Sequence, residues 1–225
     1  MSLITKIPEG LNHGWTIDVI PSIHLGRTLK FTASHPNFGT LSFGLRPEGG
    51  NAVGWDWTEV GGGGSGVIPY AVLYGKLYIG LIAQNRPTMS DNQVWQIPRG
   101  FLNPNLTHLE NAAAELTDEV GIVNATTRLV ELRGEPQNPN STYFVTRDGG
   151  FRFYGFQVAP EELDDKKKGN IAFKPGVFKP SSKMGEKITS CEFFHWEFAA
   201  QIADGFTNSG VARLLATYRD LVAYL

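Results

Sequence analysis

Three carboxylates stand close together at Glu115, Asp118 and Glu119, spaced i, i+3 and i+4. On a helix such positions are surface neighbours, and each like-charge pair costs roughly 0.2–0.5 kcal/mol. The helix predicted here holds no Lys or Arg to offset them. The acids also fall in its C-terminal half, where the macrodipole disfavours negative charge. A hard divalent cation such as Mg²⁺ resolves the conflict, because it takes oxygen ligands and favours one or two carboxylates together with substrate phosphates. A solvated acidic face is the other reading, and spacing alone leaves both open.

The elements that must position these acids follow from local signals. Thr107-His108-Leu109-Glu110 is a capping-box pattern, in which Thr107 and Glu110 satisfy each other's backbone donors. The helix is expected to start there, bury Leu109, Ala112, Ala113, Leu116 and Val120, and end at Gly121 in the left-handed conformation. Upstream, 67–73 and 76–83 read as a hairpin around Tyr74-Gly75, with another strand at 93–97. Strands are expected again at 127–132, 142–146, 152–158 and 190–197. Residues 211–224 carry a helical period that Asn208 or Ser209 could cap. Near the N-terminus, 15–20, 28–32 and 40–45 suggest a small antiparallel sheet. The run Gly61-Gly62-Gly63-Gly64-Ser65-Gly66 reads as a joint after it, and no Gly-Lys-Ser/Thr follows to make it a phosphate loop. The class is α+β.

Composition narrows the partners. With 41% hydrophobic and 19% charged residues the chain can bury an ordinary globular core. A formal net charge of −2 does not suit a phosphate-backbone binder, so nucleic acid is not expected as a partner. The basic run at 166–168 follows Glu161, Glu162, Asp164 and Asp165, and reads as a charged, solvated loop. No apolar stretch approaches the roughly 20 residues of a membrane helix, so no membrane partner is expected. The single cysteine, Cys191, cannot pair within the chain, and the first ten residues do not read as a signal peptide. A cytoplasmic location is the expectation. The five histidines, His13, His24, His35, His108 and His195, show no metal-ligand spacing.

Gly100 followed by Glu115-Leu116-Thr117-Asp118-Glu119-Val120-Gly121-Ile122 resembles the Nudix box, and the spacing from Gly100 to Gly121 matches it without a gap. Three positions depart from the box. Leu106 stands where its first Glu belongs, Ala114 replaces its Arg, and Asp118 replaces a Glu. Ala83-Gln84-Asn85-Arg86-Pro87 and Trp95-Gln96-Ile97-Pro98-Arg99-Gly100 are similar to the runs that precede the box in ADP-ribose pyrophosphatases. Glu186, the strand that begins at Cys191, and Asp204-Gly205-Phe206 before a closing helix resemble the end of those enzymes. The resemblance covers residues 67–220 well and 1–66 loosely.

The resemblance implies an α/β/α sandwich with a mixed sheet over residues 67–225, preceded by a small antiparallel β region at 1–66 that contributes to a homodimer. It implies hydrolysis of a diphosphate bond in a nucleoside diphosphate linked to another group, most closely ADP-ribose or a nucleotide sugar. A catalytically weak Nudix-fold module that binds such a ligand is the rival. Mg²⁺ or Mn²⁺ would be held by Glu115, Glu119 and the backbone carbonyl of Arg99, with Asp118 on a second ion or on water. Glu186 is the matching general base by position, with Glu161 and Glu162 as alternatives. Arg86, Trp95, Gln96 and Gly100 are the expected substrate contacts.

Overall fold

The computed structural model describes residues 14, 16–22, 28–36, 39–45, 52–58, 63–85, 93–103, 105–137, 150–166, 170–180 and 187–224. Two compact units divide the chain. In the first, β1 (Thr16–Ser22), β2 (Thr28–His35), β3 (Gly39–Leu45) and β4 (Ala52–Thr58) form an antiparallel sheet in simple sequence order. Three of these strands match the expected β stretches. β4 was not foreseen, because Gly54 and Asp56 interrupt its apolar pattern.

The second sheet is built from β5 (Gly63–Leu73), β6 (Lys76–Asn85), β7 (Gln93–Gln96), β8 (Arg99–Phe101), β9 (Leu129–Glu131), β10 (Gly150–Gln157), β11 (Leu163–Lys166), β12 (Asn170–Phe173) and β13 (Lys187–His195). Its order is β11-β12-β13-β6-β5-β10-β9, with β7 beside β6 and β8 beside β5. The pairs β6–β13, β5–β6, β6–β7 and β9–β10 are antiparallel. β5 and β10 run parallel: Gly63 lies against Gly150, and further along both strands the Tyr70 carbonyl accepts from the Val158 N–H. The sheet is therefore mixed, as expected.

The hairpin turn falls at Tyr74 and Gly75, with φ of 54° and 71°, the two positive dihedrals that match strand twist. The glycine run is less of a joint than its composition suggests. Gly63 to Gly66 open β5 and are buried, so the missing side chains permit close strand approach. The expected strand at 142–146 lies outside the described residues.

Helices cover both faces of this sheet. On one face α1 (His108–Glu115) and the turn after it bury Ala112, Leu116 and Val120 with Val67, Ala71, Ile82, Tyr154, Phe156, Cys191 and Phe193. On the other, α3 (Gly205–Thr217) follows the short α2 (Trp196–Gln201). An ideal Cβ built at Gly210 of α3 would lie 2.9 Å from Ile68, and the Tyr70 and Tyr218 rings are 5.8 Å apart. Residues 67 and 68 thus point to opposite helical layers, as strand alternation requires. The result is an α/β/α sandwich. The cap of α3 differs from expectation: Asp204, not Asn208 or Ser209, accepts from the Thr207 N–H at 3.0 Å, so the helix starts earlier. It also stops at Thr217, and 219–224 continue as a 3₁₀ turn.

The start of β5 is pinned to the start of α1. The Ser65 hydroxyl donates to the His108 carbonyl at 2.9 Å, and His108 Nδ1 lies 3.1 Å from the Gly64 carbonyl. Burial lowers the His108 pKa below its usual 6.5, against the opposing pull of the Gly64 carbonyl. A depressed histidine leaves the unfolded chain holding more protons below that value, so its contribution to stability is present above about pH 6.5 and lost as pH falls. The thermal midpoint of the wild type is expected to fall between pH 7 and pH 5.5. His108→Gln should flatten that slope, as differential scanning calorimetry across the range would register.

Candidate functional site

The capping box forms as its spacing implies. Thr107 Oγ1 accepts from the Glu110 N–H at 3.2 Å, and Glu110 Oε2 accepts from the Thr107 N–H at 2.8 Å. That backbone hydrogen bond, with the one from the Thr107 hydroxyl, holds the Glu110 carboxyl below the usual range. Of the expected stripe, Ala112, Leu116 and Val120 are fully buried, whereas Leu109 in the first turn is exposed.

Beyond Glu115 the helix widens. Leu116–Val120 is a π turn, and the Gly121 N–H donates to the Leu116 carbonyl five residues back at 2.9 Å. Such single π turns recur at functional sites. Gly121 closes the turn at φ 94°, as expected. Glycine is also needed there for space, because a Cβ would lie 2.7 Å from the Lys179 backbone nitrogen. The Lys179 N–H in turn donates to the Val120 carbonyl at 2.8 Å, closing the helix end against a loop.

The wider turn changes how the acids are shared out. With more residues per turn, positions i and i+4 come nearly into line and i+3 swings away. Glu115 and Glu119 both converge on the Arg99–Gly100 peptide. Glu119 is only 7% exposed, and its Oε2 accepts from the Arg99 N–H at 2.8 Å. The Glu115 carboxylate fills the space where a side chain at Gly100 would stand, with Oε1 2.1 Å from the ideal Cβ position. Asp118 is half-buried. Among the described residues no group of three or more His, Cys, Asp or Glu is gathered tightly enough to hold a metal ion. What the fold brings together is two carboxylates against one loop peptide, a set of hard oxygen donors that fits Mg²⁺ or Mn²⁺. Cys191 lies in the core beneath, its thiol pushed up by burial and further by Glu192 and Glu119. It is an inert core residue.

The Arg99 side chain is held as firmly as its backbone. Nη1 donates to Asp204 Oδ1 at 2.7 Å and Nη2 to Gln96 Oε1 at 3.1 Å, with the guanidinium 4.4 Å from the Phe206 ring centroid. Gln96 also donates to Gln84, and both glutamines are fully buried. Gln96, expected to meet substrate, is thus occupied inside the protein. Trp95 is half-buried and packs edge-on against Phe194 at 4.8 Å, with Phe194 stacked on Phe198 at 4.7 Å. Arg86 and Glu186 lie outside the described residues. Of the alternative bases, Glu161 is exposed, and Glu162 is held by Arg128 at 2.9 and 2.6 Å. The Arg128 hydrogen bonds lower the Glu162 pKa. Asp204 and Thr207 were not foreseen as part of this site, although the Asp-Gly-Phe-Thr run before an apolar period is a helix-capping signal.

No family model and no curated protein matches the chain. Solved structures do. An ADP compounds hydrolase is similar at 11% identity, with 91% of this chain and 92% of that one covered and a TM-score of 0.48. The NUDIX domain of Shewanella oneidensis NrtR, solved with ADP ribose, is similar at 9% identity, covering 71% and 86%, with a TM-score of 0.43. An Ap4A hydrolase from C. elegans is similar at 16% identity, covering 71% and 98%, with a TM-score of 0.44. The chain resembles the Nudix box in the spacing of its loop and acidic helix, and it is similar at low identity to these solved structures.

Proposed function

We propose that the chain is a metal-dependent hydrolase of nucleoside diphosphates linked to a second group, with ADP-ribose or a related nucleotide sugar as substrate. The observation that carries this reading is the convergence of Glu115 and Glu119 on the Arg99–Gly100 peptide. A solvated acidic face would leave these side chains exposed, whereas Glu119 is buried and hydrogen-bonded to a loop amide. Two carboxylates against one loop peptide present hard oxygen donors of the kind a divalent cation favours.

Glu115, Glu119 and the Arg99 backbone would hold Mg²⁺ or Mn²⁺, with Asp118 beside them. A bound ion would neutralise the diphosphate and lower the pKa of an attacking water. The chain supplies the rest. Arg86 pairs with a phosphate, its fork suited to two oxygens. Trp95 offers an aromatic surface to the substrate, and Glu186 accepts the proton of water. Water adds to one phosphorus, the bridging P–O bond breaks, and a nucleoside monophosphate leaves with the phosphorylated second group. Gln96, buried against Gln84 and Arg99, shapes the loop from within.

Leu106 and Ala114, where the box has its Glu–Arg pair, favour the second reading, a module that binds the ligand and turns it over poorly. A Mg²⁺-dependent panel of ADP-ribose, NADH, diadenosine polyphosphates, nucleotide sugars and nucleoside triphosphates separates the two. Release of AMP from ADP-ribose, abolished by EDTA, is the expected result. Binding of ADP-ribose without turnover would establish the module instead, and neither binding nor turnover of any compound would defeat both.

A further inference from the structure

We propose that Asp204 is a positioning residue: through the Arg99 guanidinium it holds the Arg99–Gly100 peptide in place beneath the Glu115 and Glu119 carboxylates. Arg99 is gripped from two sides. Its backbone N–H donates to Glu119 at 2.8 Å, and its side chain donates to Asp204 at 2.7 Å. The Arg99 and Asp204 side chains are only 14% and 10% exposed, so the pair is largely shielded from water and its geometry is sharply defined. Asp204 is itself anchored to α3. Its other oxygen accepts from the Thr207 N–H at 3.0 Å and from the Thr207 hydroxyl at 2.6 Å. That hydroxyl accepts from the Ile97 N–H at 3.1 Å. The segment from Ile97 to Gly100 is therefore tied to the cap of α3 at two points, a backbone amide and a guanidinium.

This clamp supplies what the box lacks. Leu106 and Ala114 cannot form the ion pair that would brace the acidic helix against its loop. Arg99–Asp204 braces the same loop from the layer on the other side of the sheet. Outer partners of this kind set ligand orientation, and losing one weakens metal binding by about 10–100-fold. The consequence for metal rests on the function proposed above, whereas the clamp itself does not.

Asp204→Asn tests it, because asparagine keeps the oxygen that caps α3 while placing an amide NH₂ where Arg99 needs an acceptor. Amide hydrogen exchange by NMR reads the Arg99 N–H directly, with the Thr207 N–H as internal control. The Arg99 amide is expected to exchange at least about tenfold faster in the variant while Thr207 stays protected, with Mn²⁺ affinity down about 10–100-fold by calorimetry. Where Thr207 also loses protection, Arg99→Met decides, since it removes the guanidinium and leaves the cap intact. Unchanged Arg99 protection in both variants overturns the clamp. Faster Arg99 exchange in a protein whose wild type binds no Mn²⁺ would uphold the clamp and defeat the function. Mn²⁺ binding with unchanged Arg99 exchange would do the reverse.

Discussion

Glu119→Gln is expected to abolish Mn²⁺ binding and hydrolysis while leaving the protein as stable as before, or slightly more so. The glutamine amide oxygen can still accept from the Arg99 N–H, so the loop contact at 2.8 Å survives. What disappears is a negative charge on a side chain only 7% exposed, close to the Glu115 carboxylate against the same peptide. A buried charge is tolerated at a cost, and neutralising one of two like charges relieves it. The thermal midpoint in EDTA should therefore hold or rise by about 2–4 °C, the shift that 1 kcal/mol gives a protein of this size. Loss of a direct metal ligand should exceed the 10–100-fold that outer partners cost, so a drop in Mn²⁺ affinity beyond about 100-fold is expected. Glu119→Ala is the contrast. It leaves the Arg99 N–H without its acceptor and should cost about 1–3 kcal/mol in addition to the metal. Undiminished Mn²⁺ binding by Glu119→Gln in calorimetry would sink the metal site.

The features of this site differ in how far the sequence discloses them. Those held by contiguous residues could be read directly. Thr107 and Glu110 satisfy each other within one turn, and Gly121 closes the helix at positive φ, so both ends of the acidic segment follow from local chemistry. The π turn between them could not be read, because a period of 3.6 residues is assumed in every helical pattern. It is this turn that carries Glu119 round to the Arg99–Gly100 peptide, where Glu115 also lies. Partnerships between distant segments were hidden as well. Gln84 with Gln96 and Arg99 with Asp204 join different strands and helices, and nothing in either local sequence names the other partner. Short edge elements escaped for a third reason. β11 reads Leu-Asp-Asp-Lys, a charged loop by composition, and becomes a strand only because β12 offers it a ladder. At α3 the apolar period is plain in the sequence, but its cap, Asp204, lies ahead of that period and beyond a glycine.

Gly100→Ala should disable the same site by another route and with little change in stability. The glycine is not required by backbone conformation, since its φ is not positive. Its role is space. A Cβ there would overlap the Glu115 carboxylate, standing 2.1 Å from Oε1, 2.4 Å from Cδ and 2.7 Å from Oε2. The obstacle is the far end of a flexible side chain that is half-buried, so it can turn outward at the cost of a rotamer change, about 0.5–1.5 kcal/mol. Replacing glycine with alanine at a permitted backbone position returns about 0.4–1 kcal/mol by restricting the unfolded chain. The two nearly cancel. Folding is then close to neutral, yet Glu115 no longer stands beside Glu119, and Mn²⁺ affinity should fall at least tenfold. Gly121 behaves differently, since alanine there meets both a φ of 94° and the Lys179 backbone, neither of which can move aside cheaply. A double-mutant cycle identifies the cause. If Gly100→Ala acts by expelling Glu115, then Glu115→Ala and the double variant should bind Mn²⁺ equally weakly. A further loss in the double variant would show instead that the loop peptide itself had shifted, and that Glu115 was not the group the glycine accommodates.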